Sequence, residues 1–531
     1  MKRMLALLLA AVLLLTGCSS GLSLPGLEEE YVRYQDMAYE RPDMDALQAT
    51  LAESCETART SKNLNTVLEA VYDYYDAYDW FYTNYDLAYI EYCRDTTSDQ
   101  RWEEYEYCVQ YAADVEAGLE ELYVALADSP IRDQLESDAY FGAGYFDYCE
   151  DGSTWDETFL ALMERESDLI GEYYDLNAQA EEAGYYTDAY FDGYADELCQ
   201  NLIDLVKLRR EIAAYVGYDS YVQFAYDFYY YRDYTPDQAM EYMSSIREAL
   251  SGLYGEVNAS CAWDGGYGYC SEKEMFSYLS TVKANMGGAA AEAFGLMEQA
   301  GLYDIEYSET KYGSSFEVYL TSYYEPYIFV DPTGYDLDKL SFAHEFGHFL
   351  ADYACYGSNA GTDIQEVFSQ GMEYLSLCYD DGEDGLEQYK LADCVSTYIE
   401  QSAYACFEQE LYGLSEEELT VENVFALYEE ICRSFGIDFE AFGWDCRDLV
   451  TVPHYYTYPM YIISYVVSND TAFQLLQMER EEAGKGLEKL EEIVTTECSY
   501  FLEFIDEAGL ESPFAPGRVE QVAEDLKTLL Q

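Results

Sequence analysis

The sequence predicts a mainly α-helical protein with one small β-sheet beside a helix that carries two of its three histidines. Three observations lead there. Apolar and aromatic residues recur every three or four positions over most of the chain, as in Val67-Leu68-x-x-Val71-Tyr72-x-x-Tyr75. The period changes once, at Phe316-Glu317-Val318-Tyr319-Leu320 and Tyr327-Ile328-Phe329-Val330, which read as two short strands. An apolar, helix-like run then follows, Ser341-Phe342-Ala343-His344-Glu345-Phe346-Gly347-His348-Phe349-Leu350.

Taken in order, the first residues are Met1-Lys2-Arg3, an apolar run from Met4 to Leu15, and Leu15-Thr16-Gly17-Cys18. A basic start, a short apolar core and small residues make a secretory signal, too short for a comfortable membrane span. Cys18 after Leu-Thr-Gly resembles the bacterial lipoprotein cleavage box. That resemblance implies removal of residues 1–17 and lipid on Cys18, against the alternative of an ordinary signal peptide containing a cysteine. Residues 18–30 then form a tether. The helical pattern runs from about Leu27 to Leu253, with breaks near Asp128-Ser129-Pro130, Glu150-Asp151-Gly152 and Tyr234-Thr235-Pro236. A Gly-rich loop at Gly265-Gly266-Tyr267-Gly268 interrupts it, and helix resumes over Ser271–Ala300. After the strands, Asp331-Pro332-Thr333-Gly334 is a turn and Asp336 a candidate cap for the histidine helix. Thr362 or Asp363 is a candidate cap for the next helix, Ile364–Tyr379. The remainder is helical, with interruptions near Gly436, Gly443 and Pro453. These shifts divide the chain into residues 31–200, an N-terminal helical region, and 201–531, which holds the motifs.

The formal net charge is −78, and −80 once Lys2 and Arg3 are removed. A surface of that sign repels nucleic acid and anionic lipid headgroups, so both are excluded as partners, and membrane attachment is left to the lipid on Cys18. Apolar content of 50% and aromatic content of 17% exclude disorder. The 60 tyrosines occur along nearly the whole chain, which suits amphipathic core residues better than one ligand platform. Of the 14 cysteines after Cys18, Cys261 and Cys270 are the most plausible local disulfide. No CxxC is present, which argues against a cysteine zinc ribbon or a thioredoxin-type site.

His344 and His348 are four apart, hence on one face of a helix, where both imidazoles can bind one Zn²⁺. Glu345 is then placed to act on a metal-activated water. From composition alone, about 0.003 matches to His-Glu-x-x-His are expected by chance. A catalytic zinc needs a third protein ligand. In the three-histidine version of the motif it would fall at position 354, which is Ala354, so a carboxylate must serve. Glu366 and Glu373 lie seven apart on the following helix and share a face. One can be the ligand and the other an acceptor for an imidazole N–H. Asp363 is a further competitor, better explained as a cap.

His344-Glu345-Phe346-Gly347-His348 followed by Glu366-Val367-Phe368-Ser369-x-x-x-Glu373 resembles the thimet oligopeptidase and oligoendopeptidase F metallopeptidases, whose second helix carries Glu-x-x-Ser-x-x-x-Glu. Three further stretches fit the resemblance. They are Leu208–Tyr221, Pro453-His454-Tyr455-Tyr456-Thr457-Tyr458-Pro459-Met460-Tyr461, and Ala508-Gly509-Leu510-x-x-Pro513-Phe514. The loop between the two metal helices is several residues shorter than in the family. The resemblance implies a large helical peptidase with a deep substrate channel between two helical halves, one Zn²⁺, and short peptides as substrates. It implies His344, His348 and Glu366 as metal ligands, with Glu373 behind them. Glu345 is then the general base. It implies that His454 and a following tyrosine, Tyr461 ahead of Tyr458, donate hydrogen bonds to the carbonyl oxygen as it becomes an oxyanion. Tyr458 and Tyr455 are also candidate substrate contacts, with packing the alternative for Tyr455 and Tyr456. The function expected is therefore zinc-dependent hydrolysis of internal bonds in short peptides, outside the membrane of a bacterial cell and anchored by lipid. A non-catalytic peptide-binding lipoprotein and a zinc exopeptidase are the alternatives.

Overall fold

Helix dominates because local signals and long-range burial agree along the chain. The computed structural model describes residues 31–137, 140–147, 149, 156–184, 187–358, 360–380, 385–496 and 498–531. The signal segment 1–17, Cys18, the tether to residue 30 and the expected break at 150–152 lie outside the described residues. Among the described residues no helix is long and apolar enough to cross a membrane. Two compact units are present, each built from separate stretches of chain.

The first unit takes Met1–Ala161, Ser271–Gly334 and Ser341–Asn359. It opens with three helices, α1 (Met44–Thr60), α2 (Leu64–Arg94) and α3 (Asp99–Ala127), each started by a side-chain cap. Asp43, Asn63 and Ser98 accept from the backbone N–H three residues on, satisfying a donor the first turn leaves open. Along α2 the buried residues include Val67, Val71, Tyr74, Tyr78 and Phe81, the stripe that the three-to-four spacing predicts. Buried tyrosines here keep their hydroxyls bonded: Tyr74 donates to the Val115 carbonyl at 3.2 Å, and Tyr75 meets the Tyr123 hydroxyl at 3.1 Å. That is the core role expected of the abundant tyrosines.

The same unit holds a three-stranded sheet, β1 (Tyr303–Asp304), β2 (Phe316–Leu320) and β3 (Glu325–Phe329), in the order β1-β3-β2. β2 runs antiparallel to β3 with Val318 opposite Tyr327, and β1 runs parallel to it. The second strand starts two residues earlier than its apolar run, because Glu325 and Pro326 complete the ladder with β2. Arg94, ending α2, ties the sheet down: its Nε donates to Asp304 at 2.7 Å and its Nη2 to the Tyr327 hydroxyl at 2.7 Å.

The histidine helix, Asp338–Cys355, begins at Asp338, so Asp336 sits outside the cap position and pairs with Lys339 at 2.9 Å. From Ser341 onward this helix belongs to the first unit. Phe342, Ala343, Phe346, Phe349 and Leu350 are buried. Phe276 and Phe294, from the preceding helices Glu272–Met286 and Gly288–Ala300, pack on Phe342 and Phe346.

The second unit takes Leu162–Cys270, Tyr335–Leu340 and Ala360–Gln531. Its centre is the packing of helix Thr362–Tyr379 along helix Ile463–Glu481. The two approach closely at Gly371, where a Cβ would stand 2.7 Å from a Leu475 methyl. Polar pairs fix the register: Gln370 donates to the Ser468 hydroxyl at 3.1 Å, and Tyr374 to Asn469 at 2.7 Å. The residue flanking the first helix is Gly361, not Thr362 or Asp363, and no side chain caps it. Cys261 is exposed and Cys270 buried, and no disulfide joins them, contrary to the local pairing expected. The Gly-rich loop beside them is held by close approach instead, with a Cβ on Gly265 landing 2.2 Å from the Gly385 carbonyl oxygen.

Candidate metal centre and the tyrosine segment

Helical spacing alone brings His344 and His348 together. Their ring centroids lie 5.1 Å apart at 78°, on the opposite side of the helix from the buried phenylalanines. Burial, with the neighbouring His344, pushes the pKa of His348 well below its usual range. A neutral imidazole is the form that binds metal. Glu345 is buried, at 5% exposure. Two carboxylates that sequence reasoning passed over share this unit. Asp352, four residues after His348, accepts from the Ser358 backbone N–H at 2.6 Å, and burial pushes its pKa up to about 6. Glu317 on β2 is pushed well up by burial and by the charges of Asp352 and Glu345. Position i+4 from His348 was a usable signal for Asp352, whereas nothing local marks Glu317.

In the second unit Glu366 is 2% exposed and fully engaged. Its Oε2 accepts from the Ser369 hydroxyl at 3.0 Å and its Oε1 from the Tyr461 hydroxyl at 2.6 Å. The serine of Glu-x-x-Ser therefore holds the glutamate one turn below it. Burial, then the Glu366 charge, pushes the Tyr461 pKa well up, so its proton stays in this bond. The oxyanion role expected of Tyr461 thus meets a competing occupation of its hydroxyl.

Glu373 pairs with Lys390 at 2.7 Å. Other expectations are corrected. Asp363 is neither cap nor metal ligand: Arg232 donates to both its oxygens at 3.3 Å, Tyr234 at 2.8 Å and Ser464 at 2.5 Å. Tyr455 is 1% exposed, packs on Phe407 and donates to the Tyr404 carbonyl, so it is a packing residue and not a substrate contact. Tyr456 is likewise buried, stacked on Tyr173 at 3.9 Å. Tyr458 is 57% exposed and remains accessible. His454 is held near its tyrosines: Nε2 lies 3.2 Å from the Tyr465 hydroxyl, and its ring is 5.6 Å from Tyr461 and 6.5 Å from Tyr458. Burial drops its pKa to about 4, leaving it neutral at neutral pH. Tyr465 was missed in the sequence, although it follows Tyr461 by one helical turn.

His344 and His348 belong to the first unit and Glu366 to the second. Two imidazoles and a carboxylate are a donor set of catalytic zinc sites.

Residues 34–151 match the model of the Peptidase M3 N-terminal domain. No curated protein matches the chain. Its fold is that of PZ peptidase A solved with an inhibitor, at TM-score 0.80 and 20% identity, covering 94% of this chain and 99% of that one. The chain has the oligoendopeptidase F fold. Oligoendopeptidase F from Enterococcus faecium superposes at TM-score 0.59 with 14% identity, over 92% of this chain and 97% of that one. A Pyrococcus furiosus carboxypeptidase does so at 0.53 with 12% identity, over 92% and 100%. The domain match and the shared fold support a metallopeptidase.

Proposed function

We propose that the chain is a zinc-dependent endopeptidase that hydrolyses internal bonds of short peptides. The observation that carries this reading is the His344–His348 pair, its rings 5.1 Å apart, with the buried Glu345 between them in sequence. His344, His348 and Glu366 would hold the ion. Bound zinc would supply Lewis acidity and an activated water. Glu345 accepts the proton of the attacking water and returns it to the leaving amine, as a buried carboxylate close to the reacting atoms can. Glu366 is kept in place by Ser369 and Tyr461. With the Tyr461 hydroxyl donating to Glu366, neutral His454 and Tyr458 would donate to a developing oxyanion.

The experiment is hydrolysis of a quenched-peptide library with and without a chelator, on wild type, Glu345→Gln and His348→Ala. Glu345→Gln keeps its metal and loses turnover, and His348→Ala loses the metal. Full hydrolysis by Glu345→Gln would sink the base assignment, and absence of hydrolysis by metal-loaded wild type would leave a peptide-binding protein. Because a carboxypeptidase shares the fold, end-group analysis of the products separates internal cleavage from trimming. The sequence of residues 1–18 supports the further proposal that the enzyme works outside the cytoplasm, anchored through lipid on Cys18.

A further inference from the structure

The segment Tyr455–Met460 joins His454 to Tyr461, and buried side chains grip its backbone from several sides. Arg209, on helix Asp188–Tyr215, is 0% exposed. Its Nη1 donates to the Tyr455 carbonyl at 2.8 Å, and its Nη2 donates to the Tyr456 carbonyl. Tyr230 donates its hydroxyl to the Pro459 carbonyl at 2.8 Å. Arg232 donates Nη1 to the Met460 carbonyl at 2.9 Å and Nη2 to the Ser464 hydroxyl at 2.8 Å. Buried Glu408 accepts from the Met460 N–H at 2.8 Å.

Met460 itself has φ +67°, a left-handed conformation that a side chain with a Cβ rarely adopts. Such a residue persists only where its surroundings over-determine it, and such sites cluster where geometry serves function. The grips are not required for charge balance. Arg209 already pairs with Glu166 at 2.6 Å, and Arg232 with Asp363 at 3.3 Å. Each guanidinium also donates to backbone oxygens of the segment while keeping its carboxylate, which only a rigid multi-donor fork can do. The rings of Tyr226 and Tyr230 lie 4.5 and 4.3 Å from the Arg232 carbon, fixing the plane of that fork.

We propose that Arg209, Arg232 and Glu408 are positioning residues for the proposed peptidase, clamping the backbone of Tyr455–Met460 so that His454, Tyr458 and Tyr461 are aimed together. The clamp sets the reversal at Met460, and with it the direction in which Tyr461 leaves to meet Glu366. The inference rests on the hydrolytic reading only for its effect on rate; the clamp itself is a property of the backbone.

The test compares Arg209→Lys and Arg232→Lys with Arg518→Lys. Arg518 also forms a buried pair, with Asp470 at 2.9 Å, and makes none of the clamp's bonds. Lysine keeps the charge and loses the fork. Amide hydrogen exchange of the metal-loaded, substrate-free proteins, kcat, KM and metal content are measured well below each variant's unfolding temperature. The two clamp variants exchange faster at the Met460 amide, keep their metal, and lose about 10- to 100-fold in kcat, the scale of a misplacement near 1 Å. Arg518→Lys shows neither change. Unchanged exchange at Met460 in both clamp variants would overturn the clamp. A kcat loss no larger than in Arg518→Lys, or one explained by metal loss, would overturn the positioning role. If wild type hydrolyses no peptide, the functional reading fails alone, because hydrogen exchange still decides the clamp.

Discussion

Replacing Tyr461 by Phe separates two roles for one hydroxyl. The family resemblance assigns it to the substrate oxyanion, whereas the structure has it donating to Glu366 Oε1 at 2.6 Å. The acceptor is a carboxylate at 2% exposure, so the bond is charge-assisted and shielded from water. Bonds to charged groups contribute about 1.5–3 kcal/mol, which is roughly 10- to 150-fold in an equilibrium constant. Loss of an outer partner to a metal ligand costs about 10- to 100-fold in metal affinity, in the same range. The ring's edge-on contact with Tyr230, at 6.2 Å between centroids, survives the change, so the fold is kept. Tyr461→Phe is therefore expected to bind Zn²⁺ about 10- to 100-fold more weakly and to regain most of its turnover at saturating zinc. Competition against a chromophoric chelator measures the first, and peptide hydrolysis across a zinc titration the second. Unchanged zinc affinity with a kcat loss that saturating zinc does not restore would refute the reasoning and return Tyr461 to the oxyanion.

Three further outcomes follow from the geometry. His454 has a pKa of about 4 in the fold against 6.5 outside it, so below pH 6.5 protons bind the unfolded chain preferentially and stability falls until about pH 4. The loss is at most about 3 kcal/mol, and urea unfolding at pH 5 and pH 7 should show a smaller pH dependence in His454→Gln than in wild type; equal dependence would contradict it. Asp363→Asn leaves the Arg232 charge buried without its carboxylate and should cost about 3–5 kcal/mol in denaturant unfolding, a cost below 1 kcal/mol arguing against the pair. Gly265→Ala places a Cβ 2.2 Å from the Gly385 carbonyl oxygen, backbone against backbone, and should cost about 1–3 kcal/mol; a neutral change would mean the loop is not seated there.

What could be read in the chain before its structure divides along sequence distance. The histidine pair, β2 and the break at Pro236 are local patterns, decided by residues a few positions apart, and each appears where the sequence places it. Asp363 is the opposite case. Local logic made it a cap, but its partner Arg232 lies 131 positions away, and a buried guanidinium outweighs a surface cap. Glu373 was read by its helical face alone, and that face gave no sign of its pair with Lys390 on another helix. The tyrosines after His454 have the same cause. Five tyrosines closely follow His454, at 455, 456, 458, 461 and 465, and burial splits them: Tyr455 and Tyr456 go inward and Tyr458 outward.

 No period sorts these tyrosines, because the backbone reverses at Met460, where φ is +67°. That reversal depends on Arg209, Arg232 and Glu408, up to about 250 positions away in sequence, so a helical count carried through it loses its register. Among 105 acidic residues, the informative ones are those whose partner is distant. A surface Glu can be replaced by any other solvated group, whereas Glu366, Asp363 and Glu408 each answer a donor that only the folded chain brings near.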